Sequence, residues 1–99
     1  MALFVVINEQ GPAWDPTRPM REQKSWAEHA SFMNALVEEH VVALGGPLRG
    51  GPRHRAMLVL RAPDETALRE RLAADPWMRS GVLRIEELTP WELLLGELP

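Results

Sequence analysis

Two side chains in this 99-residue sequence have the type and setting for proton-transfer chemistry, His29 and Asp75. At roughly 100° per residue, a helix through this region puts Trp26, Ala30, Met33 and Val37 on one stripe. His29 then falls between Met33 and Leu36, at the margin of the apolar arc. A polar ring there must find a partner. Asp75 precedes Pro76 where a second helix has to stop, and a carboxylate beside an imidazole fixes its tautomer and stabilises its charged form. Such a pair suits general acid–base work near neutral pH. On spacing alone a plainer arrangement competes: His29 bonded to a backbone carbonyl at the core edge, and Asp75 serving only as an Asp-Pro turn.

The remaining candidates are less specific. Trp14 and Trp77 have rings large enough to wall a pocket, although tryptophans at turn or helix spacing more often anchor a core. The run Gly45-Gly46-Pro47 gives a backbone that a ligand can approach closely around Gly46 and Pro47, or simply turns a strand. Arg49, Arg53, His54 and Arg55 form the one basic cluster, suited to steering an anion or, more plainly, to a solvated hairpin. His40 lies too far along the helix from His29 to share a metal with it. No H-E-x-x-H, nucleotide-binding glycine loop or nucleophile elbow occurs, and there is no cysteine. Neither a metal nor a cofactor is expected.

The elements that must position these residues follow from patterning. Ala2–Asn8, Val41–Leu44, Ala56–Leu60 and Val82–Glu86 read as strands. Arg49-Gly50-Gly51-Pro52 suits the connection between the middle two. A first helix starts between residues 19 and 25 and continues to about Glu39, with Ser25-Trp26-Ala27-Glu28 matching a capping box. A second opens at Pro63-Asp64-Glu65 and runs to Ala74, where Asp75-Pro76 stops it. Thr89-Pro90-Trp91-Glu92 reads as either a short terminal helix or a fifth edge strand. The order β-α-β-β-α-β predicts one α+β domain over residues 1–99, a ferredoxin-like sandwich. That topology gathers Trp14-Asp15, His29, residues 45–52 and Asp75-Pro76-Trp77 at one end of the sheet.

Along the first strand Leu3, Val5 and Ile7 alternate with Phe4 and Val6, and Met57 and Val59 alternate with Ala56, Leu58 and Leu60. Both sheet faces are therefore apolar, yet two helices cover only one. A homodimer with two sheets face to face would cover the other. The formal charge of −3 argues against nucleic acid and anionic membranes as partners. The apolar opening is too short to span a membrane and lacks the charged start of a signal peptide, so the expected location is the cytoplasm.

Taken in order, Arg21-Glu22-Gln23, "EHASFMNAL" around His29, "LGGPL" at residues 44–48 and "DPWMRSGVL" from Asp75 resemble the YCII-related (YciI-like) family. "AWD" at residues 13–15 is similar to a subgroup of it. The resemblance implies a dimeric α+β barrel with a histidine–aspartate pair in a small pocket, carried here by His29 and Asp75. The function expected is cofactor-independent proton transfer, by isomerisation or elimination, on a compact aromatic or lactone-like substrate held by Trp14, Gly46, Pro47 and Trp77. The alternative is a regulatory dimer that binds a small molecule without turning it over.

Overall fold

Strand alternation sets the layers. In the computed structural model, which describes residues 1–99, Phe4 and Val6 of strand β1 (Ala2–Gln10) point to one side of the sheet and are buried. They pair in register with Leu60 and Leu58 of β3 (Arg55–Ala62). Helices α1 (Trp26–Glu38) and α2 (Glu65–Ala73) bring Leu36, Leu68 and Leu72 onto that face. Full burial of each such side chain contributes roughly 1.5–3 kcal/mol. With β2 (Val42–Pro47) and β4 (Leu83–Trp91) the sheet is antiparallel in the order β2-β3-β1-β4, the ferredoxin-like arrangement expected from the pattern.

Asp64 caps α2, its carboxylate accepting the Ala67 N–H at 2.8 Å. Ser25 does occupy the cap position of α1, but the expected capping box does not form. Its φ of 64° is left-handed, whereas a capping side chain needs an extended residue to reach back, and its hydroxyl makes no cap bond. The chain reaches α1 instead through a 3-10 turn at Met20–Glu22.

Two further differences lie near the C-terminus. Asp75-Pro76 ends α2, but Pro76 also opens a short helix, α3 (Pro76–Ser80), in which it takes the first position and Asp75 is the cap. Thr89, Pro90 and Trp91 are neither a helix nor a fifth strand. They continue β4, paired with Val5, Phe4 and Leu3. β4 is an edge strand, where a proline's missing N–H leaves no ladder bond unmade.

The sheet face away from the helices carries Leu3, Val5, Ile7, Met57 and Val59, with Leu44 and Trp91 respectively 47% and 39% exposed. At one end of that face, Arg53 and Arg84 hold Glu9 at 3.1 and 2.9 Å, and Arg55 holds Glu86 at 3.0 Å. No helix is long and apolar enough to cross a membrane.

Beyond β1 the chain runs against the start of β4, with Gly11 N–H donating to Val82 C=O and Ala13 N–H to Gly81 C=O. A Cβ on Gly11 would collide with the Gly81 carbonyl oxygen, which is backbone and cannot swing aside. Gly11→Ala is therefore expected to cost about 1–3 kcal/mol, read as a fall in Tm. Gly46→Ala meets nothing and should leave Tm within experimental error. Equal melting of the two variants would contradict this account.

Candidate functional site

His29 sits in the first turns of α1, its N–H bonded to Ser25 C=O. Asp75 sits at the start of α3, 2% exposed. Between them Nδ1 of His29 lies 2.9 Å from both Oδ1 and Oδ2 of Asp75. Oδ1 also accepts the Trp77 backbone N–H at 2.9 Å, so the bond that caps α3 orients the carboxylate as well. The carboxylate accepts Nδ1–H, which leaves Nε2 as the basic nitrogen. The Trp77 ring stacks on the imidazole at 3.9 Å and 7°, and its Nε1–H donates to Lys24 C=O at 2.7 Å. His29 is thus held at its edge by one side chain of the β4-proximal helix and on its face by another.

A cavity of about 310 Å³ opens beside this pair, at the lower end of the roughly 300–1,000 Å³ usual for small-molecule sites. His29, Trp26 and Met33 of α1 form one wall, and Gly46 and Pro47 of β2 border another. Trp77, Leu58 and Leu83 add apolar surface. Gly45 makes room here, since a Cβ would strike the Leu58 side chain.

Of the residues singled out in the sequence, His29, Gly46, Pro47 and Trp77 border the cavity. Asp75 stands behind His29, and reaches the space only through it. Trp14 does not line the cavity, contrary to expectation. It packs one layer back, edge-on to Trp77 at 6.0 Å and stacked on His54 at 4.5 Å. The reason lies in Gln23, whose amide accepts the Asp15 N–H and donates to Asp15 C=O and Arg18 C=O at 2.7–2.9 Å. This buried clamp ties the Trp14 loop to the entry of α1. The Asp15 carboxyl is held below the usual carboxylate range by the Thr17 hydroxyl and then the Thr17 N–H, an interaction within that loop.

Three lining residues were less marked in the sequence. Trp26 stood on the apolar stripe of the first helix, more a core ring than a pocket wall, and its neighbourhood to His29 at 5.9 Å places it at the cavity. His54 stood within a basic cluster, yet it alone of that cluster borders the cavity, while Arg53 and Arg55 are paired with Glu9 and Glu86. Asn8 had no signal except its polarity within an apolar strand. Burial pushes the His54 imidazole below its ordinary range, and the positive charge His29 can carry across the cavity pushes it the same way.

A family model for the YCII-related domain matches residues 2–92. Among solved structures the chain is similar to 5-chloro-2-hydroxyhydroquinone dehydrochlorinase (TftG) from Burkholderia phenoliruptrix AC1100, in complex with 2,5-dihydroxybenzoquinone. The identity is 18%, 95% of each chain is covered, and the TM-score is 0.56, a likeness of fold. No curated protein matches the chain.

The direction of the His54 shift has a consequence for stability. Its folded pKa lies below the unfolded value of about 6.5, so in the window between them the unfolded chain binds more protons. The contribution is complete above the unfolded value and is lost as pH falls through the folded one. His54→Asn should therefore flatten the fall in Tm below about pH 6.5. An unchanged slope in that variant would mean that another group carries it.

Proposed function

The chain belongs to the YCII-related domain family, and from that premise we propose that it is a small enzyme moving a proton on a compact organic ring without a cofactor. His29 is the general base and Asp75 its orienting partner. The observation that carries the proposal is the 2.9 Å contact between Nδ1 and the buried carboxylate. It leaves Nε2 free for the ligand, in a small apolar cavity.

Nε2 takes a proton from substrate carbon or hydroxyl, and the electron pair left behind forms a new π bond. In an elimination a leaving group departs with its own bonding pair as an anion. In an isomerisation the imidazolium returns the proton to a second carbon. Asp75 stabilises the imidazolium in both cases, and the stacked Trp77 ring keeps it from turning away. The similar solved structure is of a dehydrochlorinase acting on a chlorinated hydroxyhydroquinone. Loss of hydrogen and chloride from such a ring is an elimination, which supports a ring-sized, oxygenated substrate bordered by Trp77, Gly46 and Pro47.

The proposal takes the protein as a cytoplasmic homodimer. Its support is the apolar row of Leu3, Val5 and Ile7 beside Met57 and Val59, on the face no helix covers. Two such faces stacked would remove both from water.

A chlorinated hydroxyhydroquinone is a direct probe, with released chloride as the readout. Native protein is expected to release chloride, and His29→Gln to do so about 100-fold more slowly or worse. Undiminished turnover in His29→Gln would sink the assignment, and tight binding without turnover in the native protein would favour the regulatory alternative. For assembly, light scattering at micromolar concentration should give twice the chain mass. Val5→Glu, in the middle of the apolar row, should return it to one. A native monomer would remove the dimer.

A further inference from the structure

We propose that Asn8 holds the ligand in the cavity, and that this ligand is an uncharged ring bearing hydroxyl groups, one of which donates a hydrogen bond to Asn8 Oδ1. The inference deepens the proposed function, on which it rests for the place of the ligand.

Asn8 lies on the helix-facing side of β1, in the row that begins with Phe4 and Val6. It is 4% exposed, and its Oδ1 has no hydrogen-bond partner. A buried carbonyl without a donor is unfavourable, and folded proteins keep few of them. A valine or leucine would suit this row better on packing grounds alone. Asn8 borders the same cavity as His29 although Oδ1 itself is covered, so a turn of the amide about its last, softly hindered side-chain bond brings the missing donor within reach.

The strand pairing marks the same position. Between β1 and β4 the register slips at Ile7/Asn8, where Ile7 faces Glu87 and Asn8 faces Ile85, leaving Glu86 over. Irregularities of this kind re-aim side chains and are over-represented beside active sites.

The charge of the ligand follows from the lining. No Asp, Glu, Lys or Arg side chain borders the cavity. Of the nearest basic cluster, Arg53 and Arg55 are engaged with Glu9 and Glu86, and neither they nor Arg49 border the cavity. An anionic ligand would therefore lose its water with only the His29 imidazolium to meet it, and that charge is already balanced by Asp75 at 2.9 Å. In the tautomer fixed by Asp75, Nε2 of His29 is a second acceptor facing this space. Two acceptors call for a ligand with two hydroxyl hydrogens.

Hydroquinone is a suitable probe, with its dimethyl ether and 4-hydroxybenzoate for comparison. Calorimetry on the native protein is expected to show hydroquinone binding about tenfold or more tighter than either, and titration should shift the Asn8 side-chain NH2 signals in NMR. Asn8→Leu should weaken hydroquinone binding to the level of the ether. The same substitution should raise the Tm of the empty protein by roughly 4 °C, because it removes an unpartnered carbonyl. A lower Tm with unchanged affinity would show that Asn8 is structural and overturn the proposal, as would failure of Asn8→Leu to fold. Native protein that ignores hydroquinone, or binds the ether or the benzoate as well, would overturn the ligand class. Because binding is read without turnover, hydroquinone held through Asn8 by a protein that converts no substrate would refute the acid–base function alone.

Discussion

A carboxylate as deeply buried as Asp75 needs every bond it can make. Here the His29 imidazole and the Trp77 N–H both donate to it, and hydrogen bonds to a charged acceptor contribute about 1.5–3 kcal/mol each. Neither donor is adjustable alone. The Trp77 N–H belongs to the first turn of α3 and His29 to the first turns of α1, so the carboxylate fixes one helix against the other. The stacked Trp77 ring and its bond to Lys24 C=O fasten the same two helices a second time. The arrangement that orients a base is also the joint between these elements, and its precision comes from its rigidity.

Around this joint the rings form a continuous series. His54 stacks on Trp14, Trp14 meets Trp77 edge-on, and Trp77 stacks on His29, with Trp26 beside both. Large flat side chains give much apolar contact with little rotamer freedom to lose. The loop after β1 could not hold its place in that series by itself. Gln23 holds it, since three bonds to loop backbone groups leave it no conformational latitude. The left-handed Ser25 beside Gln23 belongs to the same entry into α1, a strained residue where the chain is most constrained.

The two faces of the sheet divide the remaining tasks. The helix-facing side buries Phe4, Val6, Leu58 and Leu60 into one core, and only toward the cavity does a polar side chain, Asn8, interrupt it. The other side keeps an apolar row in its middle and pairs its charges at one end. Arg53, Arg55 and Arg84 share the carboxylates of Glu9 and Glu86 there, away from the cavity, whose lining holds no Arg, Lys, Asp or Glu.

Element order, the four strands, both helices, the apolar second face and the stop at Asp75-Pro76 were all legible in the sequence, because each depends on spacing between near neighbours. The meeting of His29 and Asp75 was legible too, although 46 residues separate them, since the topology returns the starts and ends of its helices to fixed corners and the family resemblance marked the same pair. What depended on tertiary structure was finer. The failed cap at Ser25, the extension of β4 through Trp91, the retreat of Trp14 behind His54 and the unpartnered Asn8 Oδ1 all turn on register and on contacts between distant segments. A side chain's type and period decide which face of its strand or helix it takes. Which partners it then finds, or lacks, is decided only when sheet pairing, with its slip at Ile7/Asn8, sets the distances across the fold.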